Sequence, residues 1–174
     1  MVDNIDKLKQ ITTFIFDYDG VLTDGKVILL NDGEGLRTAN VRDGYAMQYA
    51  IKKGYRVAII SGGRSETIKK RFEALDVFDV FMGVCSKLDV YESYLEENDI
   101  DSEEVLFMGD DIPDYHLMVR AGLPACPNNA AEEIKSVSKY ISSLSGGEGC
   151  VREVIEQTLK AQGKWFDKDV AFCW

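Results

Sequence analysis

Asp17 and Asp19 stand two residues apart in Phe16-Asp17-Tyr18-Asp19-Gly20, directly after the short apolar run Thr12–Phe16. In an extended segment, side chains at i and i+2 point the same way. The two carboxylates can therefore flank one ligand, and their repulsion requires a cation between them or a proton on one. The plain alternative is an Asp/Gly turn after a strand. A second acidic group, Met108-Gly109-Asp110-Asp111-Ile112-Pro113-Asp114, follows the run Val105–Met108. Asp110 facing the first pair gives three oxygen ligands, which waters and a phosphate complete around Mg²⁺. Asp114 reads instead as the start of a helix, with Pro113 near its first turn. Ser61, in Ser61-Gly62-Gly63-Arg64-Ser65, follows Val57–Ile60; a hydroxyl with backbone N–H groups at a helix start forms an anion site. Such turns are also common without a ligand. Lys87 opens a helical segment after Met82-Gly83-Val84-Cys85-Ser86, where its charge works against the helix dipole. That local inconsistency hints at a task.

These residues need elements that bring them together. The apolar runs Thr12–Phe16, Val57–Ile60, Val77–Phe81 and Val105–Met108 alternate with segments of helical period: Asp43–Lys53, Arg64–Leu75, Lys87–Asn98 and Pro113–Ala121. Strand, loop and helix in rotation predict an α/β fold, a central parallel sheet with helices on both faces. Ligands of such sheets sit beyond the carboxyl ends of the strands. Every residue named above lies just there. Two segments break the rotation. Lys26–Leu30 and Leu36–Val41 flank Asn31-Asp32-Gly33-Glu34-Gly35, predicting a small β-hairpin at about 26–41. A glycine-rich stretch, Ser145–Gly149, precedes a last helix, Cys150–Ala161, and a tail rich in aromatics (Trp165, Phe166, Phe172, Trp174). Such aromatics are expected to pack on the body or on a neighbouring subunit.

At 174 residues, the chain is expected to form one domain with a core that needs no staples. Its formal net charge of −10 excludes nucleic acid and anionic membranes as partners, since both need a basic surface. No run of about 18 apolar residues is present to span a membrane. The N-terminal residues lack the blocks of a signal peptide, so a cytoplasmic location is expected. Cys85, Cys126, Cys150 and Cys173 show no metal-binding spacing and are expected to be free thiols. His116 falls within the helix after the second acidic group and has no partner from which to build catalysis.

The order Asp-x-Asp, Ser, Lys, Gly-Asp-Asp, each beyond a separate strand, resembles the haloacid dehalogenase (HAD) superfamily. The resemblance implies a Rossmann-like three-layer fold and a Mg²⁺-dependent phosphotransfer. It makes Asp17 the nucleophile and Asp19 the general acid/base. Ser61 and Lys87 would hold the phosphoryl group. Asp17, the Asp19 carbonyl and Asp110 would ligate the metal, with Asp111 accessory. Only residues 20–56 separate the first two motifs, and the hairpin and one helix fill them, so no cap domain fits. The segments Thr23-Asp24-Gly25, Asn40-Val41-Arg42-Asp43-Gly44-Tyr45-Ala46-Met47 and Gly146-Gly147-Glu148-Gly149-Cys150-Val151-Arg152-Glu153 narrow the resemblance to the capless 3-deoxy-D-manno-octulosonate 8-phosphate phosphatase family. That likeness implies release of 3-deoxy-D-manno-octulosonate and phosphate for lipopolysaccharide synthesis. It also implies a homotetramer whose hairpins pack together and whose sites are shared between subunits. Arg42, Asp43 and Gly44 would then face substrate, as would Gly62 and Arg64; Asp43 can alternatively cap its helix. The family often has Thr-Gly-Arg where this chain reads Ser61-Gly62-Gly63-Arg64. Competing readings are a phosphatase for a nine-carbon sugar acid 9-phosphate, a phospho-acceptor signalling domain, and a regulatory subunit or appended domain of a synthetase. Asp19, two residues after the nucleophile, speaks against signalling.

Overall fold

The computed structural model describes residues 5–31 and 35–168. A short helix α1, Ile5–Leu8, leads into β1, Thr13–Phe16, whose four residues are all buried. A small antiparallel pair follows, β2 at Ile28–Leu29 and β3 at Gly35–Leu36. Helix α2, Val41–Lys52, precedes β4, Arg56–Ser61; α3, Glu66–Glu73, precedes β5, Asp79–Met82. Then come α4, Lys87–Glu97, β6, Val105–Met108, and α5, Tyr115–Arg120. β7, Leu123–Cys126, α6, Glu132–Val137, β8, Tyr140–Ile141, and α7, Cys150–Ala161, complete the chain order.

Six strands form one parallel sheet in the order β5-β4-β1-β6-β7-β8. The period-2 alternation of its strands divides the core. Phe14 and Phe16 of β1, Val57 and Ile59 of β4, and Leu106 and Met108 of β6 face one side, packed on α2, α3 and α7. Ile15, Ala58, Ile60, Val105 and Phe107 face the other, against α4, α5 and α6. Both faces are covered, which is why these strands read as continuous apolar runs. Each fully buried Phe or Ile here contributes about 1.5–3 kcal/mol. The result is the expected three-layer fold, with no cap domain among the described residues.

Three sequence expectations need correction in detail. The hairpin ladder stops short of residues 26–27 and 37–41: among the described residues it pairs Ile28 with Leu36 and Leu29 with Gly35. Val41, taken into the second hairpin strand, starts α2 instead, because Asn40 caps that helix by accepting the Arg42 N–H at 2.9 Å. β7 and β8 were not foreseen, since Pro124 interrupts one and the other is two residues long. The hairpin turn Asp32-Gly33-Glu34 and the tail residues Phe172, Cys173 and Trp174 lie outside the described residues. Within the described tail, Trp165 packs edge-on to Tyr49 at 5.1 Å with Arg152 over its ring, whereas Phe166 is exposed. Cys85, Cys126 and Cys150 are free.

Candidate active site

β1 and β6 are neighbours, yet the chain reaches them on separate passes. From β1 it winds outward through β4 and β5, then returns to lay β6 on the other side of β1. Loops diverge at such a reversal and leave a crevice beyond the carboxyl ends. Asp17, the residue after β1, and Asp110, two residues after β6, stand on its two walls. The Asp17 N–H donates to the Met108 carbonyl at 3.0 Å, which extends the ladder one step and fixes the Asp17 backbone. The loop then turns sharply: Leu22 and Thr23 N–H groups donate to the Tyr18 carbonyl, and the buried Thr23 hydroxyl accepts from Gly20 and Gly25 N–H, both at 3.2 Å. Gly20 has φ +89°, and a Cβ there would collide with the Asp110 carboxylate. Glycine is what lets the two acidic loops close on each other.

Lys87 enters from the start of α4. Its Nζ lies 2.9 Å from Asp17 Oδ1 and 2.7 Å from Asp114 Oδ1. Burial disfavours its charge, but Asp114 and Asp17 outweigh this and hold its pKa above the usual lysine value. Asp17 is pushed up to about 6, first by burial and then by the Asp114 charge, despite Lys87 beside it. Asp110 is pushed up to about 7 by burial and by Asp17, Asp114 and Asp111. Oxygens of Asp17, Asp110 and Asp114 come within 4.8 Å of one another. One ammonium cannot neutralise three carboxylates, so the cluster lacks positive charge. That deficit and an all-oxygen donor set fit a hard divalent cation.

Asp114 corrects the sequence reading. It does precede α5, but its side chain makes no cap there. It is buried, and both its oxygens are used: Oδ1 on Lys87, and Oδ2 accepting the Asp110 N–H at 3.1 Å. Buried and held in place by Lys87 and the Asp110 N–H, Asp114 steadies the cluster, while Asp17 and Asp110 stand at the two strand ends where a cation would be met. The i, i+4 spacing of Asp110 and Asp114 around Pro113 was the signal for this. Asp111 lines the cleft, exposed, and its Oδ1 accepts the Ile112 N–H at 2.8 Å, capping the short 3₁₀ turn Ile112–Asp114. The cleft, about 290 Å³, is bounded by Asp17, Asp19, Gly20, Gly25, Lys87 and the Asp110–Asp114 loop.

Ser61 ends β4 fully buried. Its Oγ accepts the Gly63 N–H at 3.1 Å, and the loop is tied to the β5–α4 connection by Gly83 N–H to Gly63 carbonyl, 2.7 Å, and Val84 N–H to Ser61 carbonyl, 3.1 Å. Gly62 is exposed and lines an adjoining cavity of about 330 Å³ with Lys87 and His116. Arg64 is exposed and lies along Gly83, where a Cβ would stand 2.9 Å from Arg64 Cγ; it does not border the acidic cleft.

The Arg42–Gly44 segment is divided among tasks. Arg42 is exposed. Asp43 does not cap its own helix, which Asn40 caps. Its Oδ1 accepts the Arg152 N–H at 2.6 Å, at the start of α7, whose cap residue Gly149 has no side chain to offer. Its Oδ2 is buried with no hydrogen-bond partner, and burial pushes its pKa up to about 6. Gly44 leaves room for Arg71, whose Nη2 would be 3.1 Å from a Cβ there. Arg71 and Asn40 line a small hollow beside Tyr18. Sequence reasoning also missed Arg37. Following β3, its Nε donates to Asp19 Oδ1 at 2.5 Å and its Nη2 to Asp19 Oδ2 at 3.2 Å.

The chain as a whole is similar to known proteins. A family model for haloacid dehalogenase-like hydrolases matches residues 76–154. The 3-deoxy-D-manno-octulosonate 8-phosphate phosphatase of Escherichia coli (strain K12) is 36% identical over 162 residues, covering 93% of this chain and 86% of that protein. The crystal structure of the Yersinia pestis phosphatase of the same name superposes with a TM-score of 0.91 at 34% identity, covering 94% of this chain and 88% of that one. The Moraxella catarrhalis phosphatase, solved with magnesium ion, phosphate ion and the sugar acid, has a TM-score of 0.91 at 33% identity, with 95% of each chain covered.

Proposed function

The chain belongs to the 3-deoxy-D-manno-octulosonate 8-phosphate phosphatase family of haloacid dehalogenase-like hydrolases, and from that membership we propose that it hydrolyses 3-deoxy-D-manno-octulosonate 8-phosphate to the free sugar acid and phosphate. The product serves lipopolysaccharide synthesis. The observation that carries this reading is the Asp17–Lys87–Asp110 cluster at the carboxyl ends of adjacent strands β1 and β6.

Asp17 attacks phosphorus in line; its O–P bond forms as the bond to the sugar oxygen breaks. Asp19 gives a proton to the departing oxygen, then takes one from the water that cleaves the aspartyl-phosphate. Lys87 and the Ser61 loop hold the equatorial phosphoryl oxygens. Asp17, Asp110 and the Asp19 carbonyl would hold Mg²⁺, with Asp111 at its margin and Asp114 fixing Lys87 and Asp110. When bound, the ion supplies charge neutralisation at the transferring group. Gly62 lines the adjoining cavity and is a candidate for sugar contacts, as are Arg42, Gly44 and Arg64, which do not line the acidic cleft itself and would meet substrate only beyond its rim; Asp43 anchors α7 to α2.

The chain reads as one domain that works as a homotetramer in the cytoplasm. Support for assembly comes from the hairpin: Ile28 is 62% and Leu29 82% exposed, with Val27, Leu30 and Leu36 alongside. A two-stranded ribbon with an uncovered apolar face is marginal in water. No helix among the described residues is long and apolar enough to cross a membrane. A substrate panel tests the activity. The eight-carbon ester should show the highest kcat/KM, and chelation should abolish turnover until Mg²⁺ is restored. A preference for the nine-carbon 9-phosphate would move the assignment, and a single stoichiometric release of phosphate would favour a signalling domain.

A further inference from the structure

The Arg37 guanidinium grips Asp19 by a fork, Nε to Oδ1 at 2.5 Å and Nη2 to Oδ2 at 3.2 Å. Its Nη1 donates to the Gly35 carbonyl at 3.2 Å, so the head group is fixed from both sides. The Arg37 side chain is only 16% exposed, unlike a surface pair that opens freely. Gly63 explains how the fork fits. A Cβ at Gly63 would stand 3.1 Å from Asp19 Oδ2 and 3.8 Å from Arg37 Nη2, tight against the pair. Arg37 thus arrives from the hairpin at the site of the third residue of the Ser61-Gly62-Gly63 turn, and that residue has no side chain to contest the space.

We propose that Arg37 is a positioning residue that aims Asp19 at the hydrolytic water, with Gly63 kept small to admit it. The proposal rests on the aspartyl-phosphate reading given above and assigns a hairpin residue to its second half. A carboxylate has about four lone-pair sites, two on each oxygen. The fork takes one on each, fixes the carboxylate plane and rotamer, and leaves another to accept a proton. In the first half, Asp19 has already given its proton to the leaving oxygen. In the second, the water oxygen bonds to phosphorus, the Asp17 O–P bond breaks, and the water proton passes to Asp19. Without the fork, Asp19 swings on its side-chain torsions, and this second step slows.

The test is acid-quenched single-turnover kinetics with phosphorus-labelled substrate, and stopped-flow release of nitrophenol from p-nitrophenyl phosphate. The aryl leaving group needs little proton assistance, so its first step does not depend on Asp19. Arg37→Ala should give a burst of about one nitrophenol per site, steady turnover at least ~10-fold slower, and more labelled aspartyl-phosphate than wild type, as expected for losing part of a general-base contribution of 10²–10⁴. Arg37→Lys, which keeps the charge but not the fork, should fall between. Gly63→Ala should accumulate the same species more weakly, and it tests the proposal even where Arg37→Ala fails to fold. A purely structural role would lower burst and steady rate in proportion, with no added phosphoenzyme, and that result overturns the proposal. Wild-type enzyme that yields no labelled Asp17 in single turnover would overturn the aspartyl-phosphate reading and the proposal together. Labelled wild type beside unlabelled variants would overturn the proposal alone.

Discussion

Asp114→Asn separates a supporting carboxylate from a metal ligand. Asp114 is 1% exposed and makes two bonds, one to the Lys87 ammonium at 2.7 Å and one from the Asp110 N–H at 3.1 Å. Breaking a buried ion pair costs about 3–5 kcal/mol when the remaining charge is stranded. Lys87 is not stranded, since Asp17 remains 2.9 Å away. A loss of about 2 kcal/mol is therefore expected, near the value of one hydrogen bond to a charged group. For a chain of this length that lowers Tm by about 4–8 °C. The size of the loss depends on the cation. With Mg²⁺ saturating, the other carboxylates are neutralised and the full loss appears. In chelator, removing one negative charge relieves the repulsion that raises Asp17 and Asp110, and the loss should shrink or vanish. Lys87, released on one side, should shift toward Asp17; a displacement of about 1 Å costs about 10² in kcat. Calorimetric unfolding with and without Mg²⁺, Mg²⁺ titration and steady-state kinetics check each part. Mg²⁺ affinity should change less than about threefold, because Asp114 is 1% exposed and its oxygens are turned to Lys87 and the Asp110 N–H. A tenfold or greater loss of Mg²⁺ affinity would show that Asp114 is a ligand after all, and an unchanged kcat would show that it does not place Lys87.

Asp17→Asn should fold with a normal Tm and lose turnover; retained turnover rules out the nucleophile. Asp17 near 6 and Asp110 near 7 hold protons in the metal-free cluster, so Mg²⁺ binding at pH 6.5 should release about one proton per site and weaken as pH falls from 7 to 5. Calorimetry in two buffers of different ionisation enthalpy measures this, and a release of zero contradicts the cluster. Asp43 is an acid whose folded pKa is raised from 3.8 to about 6, so the fold prefers its neutral form. Stability is therefore full below about pH 4 and falls as pH rises through 6, by up to about 3 kcal/mol. Asp43→Asn should raise Tm at pH 8 and lose that advantage at pH 4; an equal effect at both pH values would remove the burial argument. Leu29→Asp should convert the assembly to a folded monomer in sedimentation, and a wild type that is already monomeric would refute the interface.

The parts of the site that were legible in the sequence are those whose chemistry sits at strand ends. Asp17, Ser61 and Asp110 follow apolar runs, and a parallel sheet forces such residues toward one rim. The rest depended on directions that spacing does not carry. Asp114 occupies a helix-start position, and the same residue type at the same place can turn to its own helix or away from it. It turns away because Lys87, arriving from α4, offers a charge. Asp43 shows the converse: Asn40 already caps α2, which frees Asp43 for the uncapped start of α7 more than a hundred residues later. Arg37 needed a contact between a hairpin and β1's loop, and the period of the sequence contains nothing about such a contact. β7 and β8 were hidden by shortness and by Pro124, not by any conflict of pattern.

The contacts of Lys87 and Arg37 explain why so acidic a chain needs a divalent cation to handle a phosphate ester. Lys87 is engaged with Asp17 and Asp114, and Arg37 with Asp19. Neither therefore offers an unopposed positive charge to a phosphate approaching Asp17. Around them stand five carboxylates of the cleft: Asp17, Asp19, Asp110, Asp111 and Asp114. The metal-free cleft should repel the dianion it is built to cleave, and the divalent cation then acts at binding as well as in the chemical step. Chelation should accordingly weaken phosphate binding itself. Inorganic phosphate titrated against Asp17→Asn, which forms no covalent adduct, isolates that effect. Its Kd should rise at least ~10-fold when Mg²⁺ is removed. A Kd indifferent to Mg²⁺ would mean that Lys87 and the Ser61 loop bind phosphate unaided, despite the carboxylates beside them.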